Sequence, residues 1–287
     1  MRNIKMAIAY DGTRYYGWQI QRETPTVQQV LRDTNKAPWL GLTVARLEDA
    51  VRAHVPAIPA GFGFVIASVD RELGSRGHAA FVIPPGTKGC EQGANVKKHG
   101  IRASHTADVH LDDCRVPGSC LLGGKEKLYE KLAKAREGKS SKGQAAMRTF
   151  ELSRPTVGAQ AVGIARAAYE YALDYAKERE TWGRKIIENQ AIAFTLADMK
   201  LEIDASRLLV WRAAAMKDRG VRHSAESAMA KLFASEMSER VTSKGIQIHG
   251  GYGYVHEYDA ERHWRDSRIT ELYEGTSEIQ RLVIAGA

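Results

Sequence analysis

The sequence predicts a mainly α protein: an antiparallel helical bundle in the C-terminal half, preceded by a partial β-domain and a short α/β fragment at the N-terminus. Three observations predict it. Beyond residue 151, apolar side chains recur at three- and four-residue spacing, the period of a helix that buries one face. Short apolar or alternating runs at 64–69, 78–83 and 107–111 are split by Gly and Pro, as short strands are. Ile4, Met6, Ile8 and Tyr10 alternate at period two ahead of the Asp11-Gly12 turn signal.

Each element follows in order. After the first strand and turn come Tyr15, Tyr16 and Trp18, and Thr26 is placed to cap a short helix through Leu31. Residues 32–63 carry Pro38, Pro56 and Pro59 and one helical stretch near 47–51, and remain unassigned. The β character starts at Phe64, with turns at Pro84-Pro85-Gly86 and Val116-Pro117-Gly118. The first bundle helix is expected to open at Pro155, carry Val157, Val162, Ala165 and Tyr169, and end near Arg179 at Thr181-Trp182-Gly183. A second carries Ile192, Leu196, Met199 and Ile203 and continues through Leu208 and Trp211 to Gly220. Ser224 is expected to cap a third helix bearing Met229, Phe233, Met237 and Val241. Ser277-Glu278-Ile279-Gln280 reads as a capping box opening a last short helix.

Composition limits the function classes. The chain has 287 residues, 44% hydrophobic and 26% charged, which fits a folded globular protein and excludes a disordered one. At roughly 150 residues per domain, the length suggests about two domains. The longest early run without charge or histidine, 55–69, contains two prolines and falls short of the ~20 residues of a membrane-crossing helix. No membrane span and no signal pattern are expected. Three cysteines, Cys90, Cys114 and Cys120, without a CxxC pair argue against a disulfide framework and a zinc site, so a cytoplasmic location is expected. The net charge of +8 favours an acidic partner: RNA, a nucleotide or a coenzyme phosphate. Much of that charge lies in 123–142 and reads as a solvated connector or helix.

Three places could carry chemistry. Glu274, in Leu272-Tyr273-Glu274-Gly275-Thr276, stands before a glycine turn and a helix N-terminus; it is either a general base or an acid placed by the helix dipole. Gln247-Ile248-His249-Gly250-Gly251 offers glycines that admit a ligand close to the backbone, or simply a helix stop. His249, His256 and His263 recur every seven residues, but the glycines between them break the helix, so no metal site is expected. Arg179 and Arg184 suit a helix C-terminus or a pyrophosphate; Arg154, before Pro155, makes sense at a helix start if an anion binds nearby.

Taken together, Arg154-Pro155, residues 158–163, 179–183, 190–192 and 247–251, Arg265-Asp266 and Tyr273-Glu274-Gly275-Thr276 resemble the acyl-CoA dehydrogenase family in order and spacing. The likeness runs from about residue 64 to the end. It places a partial middle β-domain at 64–122, in which 100–104 and 111–117 look like the domain's second half, a basic connector at 123–150 and the helical domain at 151–287. The resemblance implies an FAD enzyme that removes two hydrogens across the α–β bond of an acyl-CoA thioester. Glu274 matches the family's usual base; the alternative position used by some relatives is Ser153 here, which cannot act as one. Arg179, Gln190, Gln247, Gly250 and Gly251 match contacts to the FAD pyrophosphate and adenine from a neighbouring subunit, and Thr276 and Glu278 match flavin contacts. Glu151, Arg154 and Gly275 match the substrate side. The implied partners are an electron-transfer acceptor protein and further copies of the chain, as a homodimer or homotetramer; nucleic acid is not expected. The family's N-terminal helical domain and the Thr-Glu-Pro and Trp-Ile-Thr stretches have no counterpart in this sequence, so a truncated enzyme is expected, one in which Glu274 can be present without a working site.

Residues 1–31 instead resemble the start of a tRNA pseudouridine synthase, through Tyr10-Asp11-Gly12-Thr13, Tyr16-Gly17-Trp18-Gln19 and Pro25-Thr26-Val27-Gln28. That family's Gly-Arg-Thr-Asp-Ala-Gly motif is absent, so the chain reads as a fusion of two partial ancestries. Two further readings stand beside the dehydrogenase: a tRNA-modifying protein without its nucleophile, and a non-catalytic bundle that oligomerises.

Overall fold

A computed structural model describes residues 63–104, 106–139 and 145–287, with the side chains of 145–149 outside that description. The strand, turn and helix expected before residue 52, the unassigned stretch to residue 62 and the pseudouridine-synthase likeness lie outside the described residues. The described chain divides into two compact units, one holding 63–96, 106–139 and 145–150, the other 97–104 and 151–287.

In the first unit, β1 (Gly63–Ser68) and β2 (His78–Ile83) pair antiparallel, Phe64 opposite Val82 and Ser68 opposite His78. Val82 is fully buried and shares a small core with Cys120, Val116 and Leu122. The Pro84-Pro85-Gly86 turn forms as the residue types require: Thr87 donates its N–H and its hydroxyl to the Pro84 carbonyl, with Gly86 at φ +76°. Two three-residue strands, β3 (Cys90–Gln92) and β4 (Val109–Leu111), form a second antiparallel pair. Cys-Glu-Gln has no apolar pattern, so β3 could not be anticipated. The basic stretch is largely a helix, α1 (Gly124–Arg136), tied within this unit by Lys131 Nζ to the His78 carbonyl and Arg136 to Asp70.

The second unit is the bundle. Its long helices are α2 (Ala145–Glu178), α3 (Gln190–Asp218) and α4 (Ser224–His249), followed by α5 (Ala260–Ser267) and α6 (Ser277–Ala285). Helix α2 does not open at Pro155; that proline lies inside it. Proline removes the backbone donor that would reach the Glu151 carbonyl, and one residue on the Thr156 hydroxyl donates to the Ser153 carbonyl at 2.5 Å. Arg154 is therefore in a helix interior, and the expectation that it faces the positive end of a dipole is overturned. After α2, β5 (Glu180–Thr181) and β6 (Arg184–Lys185) form a tight hairpin through Trp182 and Gly183, both at positive φ.

Alanines 161, 165, 172 and 176 on α2 meet Leu196, Met199, Ile203 and Val210 of α3 and Ala230, Ala234, Met237 and Val241 of α4 in one core. Small side chains bring the backbones close: a Cβ on Gly158 would stand 3.0 Å from Val210 Cγ2 and 3.1 Å from the Ala230 carbonyl oxygen. Arg212–Glu226 and Arg240–Glu202 pairs join opposite ends of α3 and α4, as antiparallel neighbours require.

Several side chains depart from their expected faces. Leu208 and Trp211 are exposed, because the buried stripe of α3 continues through Ser206, Val210 and Ala213. Phe233 is exposed and Ala234 takes the core position. Ser224 is not a cap: His223 precedes the helix, and the Ser224 hydroxyl donates to Glu151 at 2.6 Å. Ser277 is the first residue of α6 and Thr276 its N-cap residue, so the expected capping box does not form. Among the described residues no helix is long and apolar enough to cross a membrane.

Candidate active site

Helix α4 has a second buried face. Ser227, Lys231, Ser235, Ser238 and Thr242, spaced four, four, three and four, are all fully buried. Three of them hold the stretch that runs from the end of α5 to the following turn. The Thr242 hydroxyl meets Ser267 at 3.1 Å, Ser235 Oγ donates to the Thr270 carbonyl at 2.8 Å, and Lys231 Nζ donates to the Gly275 carbonyl at 2.8 Å. Anchored in this way, the chain turns at Glu274 with φ +57° and Gly275 with φ +94°. The positive φ favours glycine at 275, and a Cβ there would come within 2.8 Å of Gln280 Nε2 and displace that amide.

The turn presents Glu274, half-buried, to Ser153, whose hydroxyl donates to Oε2 at 2.6 Å. The neighbouring Tyr273 hydroxyl donates to Gln160, and burial pushes this phenol well above its usual range. Arg154 is 2% exposed, and its Nε and Nη1 have no hydrogen-bond partner among the described residues. Burial lowers its pKa, with the charges of Glu151 and Glu274 opposing that shift. A buried guanidinium with orphaned donors is expensive unless a ligand supplies the acceptor.

An open cavity of about 480 Å³ lies at the other end of the long helices, where α2 and α4 finish. Tyr175, Arg179, Thr181, Ile186, Ile248, His249, Gly250, Gly251, Tyr252 and Val255 line it. His249 stacks on Tyr171 and Tyr175, with centroids 4.8 and 4.3 Å away. Its Nδ1 meets the Gly245 carbonyl at 2.8 Å, so Nδ1 carries the proton and Nε2 is left as an acceptor, buried and unpartnered among the described residues. Burial lowers its pKa, which keeps the ring neutral. Arg179 lies over the Tyr252 ring at 5.5 Å, and nothing stands within 4 Å of where a Cβ would be on Gly250 or Gly251. A cation, two open backbone positions and stacked aromatic rings fit a nucleotide-type cofactor with a phosphate.

The predicted residues thus fall into two groups. Arg179, Gly250 and Gly251 share the cavity, while Gln190 and Gln247 are exposed on the first turn of α3 and the last turn of α4. Glu274, Gly275 and Thr276 form the turn and Glu278 stands in the first turn of α6, while Arg154 feels the charges of Glu274 and of Glu151, which accepts from Ser224. The backbone N–H of Glu278 and, next, the Thr276 hydroxyl hold the Glu278 carboxyl below its usual range. The three histidines do not converge: His256 bonds Glu261 on the surface, whereas His249 and His263 are buried around Tyr171. Sequence reasoning missed Ser153 as a partner of Glu274, and it missed Lys231 and Gln280. The period of buried serines around Lys231 was the available signal.

A half-buried carboxylate on a left-handed turn thus stands beside a buried arginine with two unpartnered donors, on a three-helix scaffold that carries a separate aromatic cavity. The family profile of the acyl-CoA dehydrogenase C-terminal domain matches residues 142–287. The bovine (Bos taurus) mitochondrial short-chain specific acyl-CoA dehydrogenase is 47% identical, over 77% of this chain and 50% of its own. The caffeyl-CoA reductase-Etf complex subunit CarC of Acetobacterium woodii is 39% identical, over 77% of this chain and 55% of its own. The structure of butyryl-CoA dehydrogenase from Megasphaera elsdenii superposes with a TM-score of 0.70 and 39% identity, covering 78% of this chain and 55% of that one. The chain belongs to the acyl-CoA dehydrogenase family. It spans about half the length of the curated relatives it matches.

Proposed function

We propose that this chain carries out, or supplies the base and cofactor half for, FAD-dependent α,β-dehydrogenation of an acyl-CoA thioester. One observation carries the reading: Glu274 is held on a left-handed turn by the Ser153 hydroxyl, beside an arginine with two buried donors free for a ligand. Glu274 removes the α-proton, and the Ser153 hydroxyl keeps its second oxygen oriented during that transfer. Arg154, with Glu151 and Gly275, binds the substrate. Arg179, Gln190, Gln247, Gly250 and Gly251 hold the FAD pyrophosphate and adenine of a neighbouring subunit, and Thr276 and Glu278 meet the flavin portion. Bound flavin supplies the two-electron acceptor for the hydrogen leaving the β-carbon.

Shared cofactor contacts imply a homodimer or homotetramer. Support comes from α3, where Phe194, Leu201 and Leu208 are exposed at seven-residue spacing, an apolar stripe suited to another helix. The reoxidant is an electron-transfer acceptor protein, as the name of the Acetobacterium relative suggests for that protein. Of the +8 charge, Arg154 and Arg179 suit coenzyme phosphates, and most of the lysines are solvated surface. Cys90, Cys114 and Cys120 are free thiols, which supports a reducing, cytoplasmic compartment. Butyryl-CoA is the first substrate to try, given the short-chain relatives. Purified protein should be yellow and its flavin absorbance should bleach with butyryl-CoA. Protein that stays colourless after incubation with FAD would refute the reading.

A further inference from the structure

Lys231 has no part in the chemistry above, yet it is fully buried beneath the turn that carries Glu274. Its Nζ donates to the Gly275 carbonyl at 2.8 Å, and Gln280 Nε2 donates to the same oxygen at 2.8 Å. Gln280 Nε2 also lies 3.4 Å from the Glu274 carbonyl, and Gln280 is itself fully buried. One carbonyl thus takes two hydrogen bonds from opposite sides, one from α4 and one from α6, at the residue after a non-glycine held at φ +57°. A conformation of that kind persists only where its surroundings over-determine it.

We propose that Lys231 is a positioning residue: with Gln280 it clamps the Gly275 carbonyl, and the clamp holds Glu274 in the left-handed conformation that turns its carboxylate toward Ser153. The charges around Lys231 support this role. Glu271, Glu274 and Glu278 attract the ammonium and Arg154 repels it. Burial brings its pKa down to about 8, so the bond to Gly275 is still made by a cation at neutral pH. A buried lysine is a poor means of adding stability, since a well-packed apolar side chain in its place is often neutral or stabilising. What it supplies is direction at one oxygen.

The importance of the clamp for turnover rests on Glu274 being the base, but the order of the turn does not, so the test separates the two. Lys231→Met keeps length and volume and removes the donor. In the full chain, hydrogen exchange followed by mass spectrometry should show the amides of 272–277 exchanging about tenfold faster or more. Exchange in the 237–248 stretch of α4 and the melting temperature should be unchanged or improved. If the protein bleaches with butyryl-CoA, kcat should fall with KM little altered. A merely structural lysine would lower the melting temperature and protection throughout α4 together, and that result overturns the proposal. So does unchanged exchange at 272–277. Gln280→Met cuts the other arm and should loosen the same segment to a smaller extent; if Lys231→Met cannot be obtained folded, unchanged exchange in Gln280→Met decides against the clamp. Colourless protein with a loosened turn would refute the dehydrogenase reading and leave the clamp standing.

Discussion

Helix α4 is buried on two sides, and the two sides use different chemistry. One side sets Ala230, Ala234, Met237 and Val241 into the three-helix core. The other sets Lys231, Ser235 and Thr242 against the stretch from Ser267 to Gly275. Apolar contact is non-directional and grows with area, so the first side glues helices together and tolerates small shifts. Hydrogen bonds to single carbonyls tolerate none, so the second side sets the register of an irregular segment that has no ladder of its own. Stability and placement are thus divided between the faces of one helix.

Four changes would break or sharpen that contrast. The largest effect falls on activity: Glu274→Gln should retain FAD and lower the rate of butyryl-CoA bleaching by about 10²–10⁴-fold, with the urea midpoint little changed. Next, Met237→Ala on the apolar side should cost about 2–5 kcal/mol in urea unfolding, because the side chain is fully buried and leaves a cavity. It should not single out residues 272–277 for faster exchange; if it does, the two sides are not separable. On the polar side, Ser235→Ala leaves the Thr270 carbonyl unpartnered by that hydroxyl and should cost about 1–2 kcal/mol, with faster exchange concentrated in 268–275. The shallowest effect is a pH dependence, no steeper than about 1.4 kcal/mol per pH unit. Folded Lys231 releases its proton near 8, whereas the unfolded chain keeps it to about 10.5. Over that window the unfolded state binds more protons, so stability should rise as pH goes from about 8 to about 10.5 and level off below 8. Unfolding curves of Lys231→Met should lack this slope; an identical slope would mean that the lysine is hydrated in the folded protein.

The bundle was legible because its helices follow the 3.6-residue period, and Leu196, Met199 and Ile203 are buried together as their spacing requires. The start of α2 was not legible. Proline favours a first helical position, but the helix runs through Pro155 and begins ten residues earlier, at Ala145. The candidate base and its glycine could be read from Tyr273-Glu274-Gly275-Thr276 alone. Their supports could not, since a lysine among alanines and serines reads as surface until the chain from 267 to 275 is laid over it. Ser153 was set aside because it is no base; its contribution is a hydrogen bond, visible only once α2 and the turn are brought together.

Trp182 is fully exposed at the tip of the β5–β6 hairpin, three residues beyond the Arg179 that lines the aromatic cavity. An indole in that position is a built-in fluorescence reporter. Its emission lies at the long-wavelength, water-quenched limit while the hairpin is free, and a blue shift would record whatever settles over the cavity. A difference spectrum against Trp182→Phe isolates this signal from the other four tryptophans, and it follows cofactor or subunit arrival without any label.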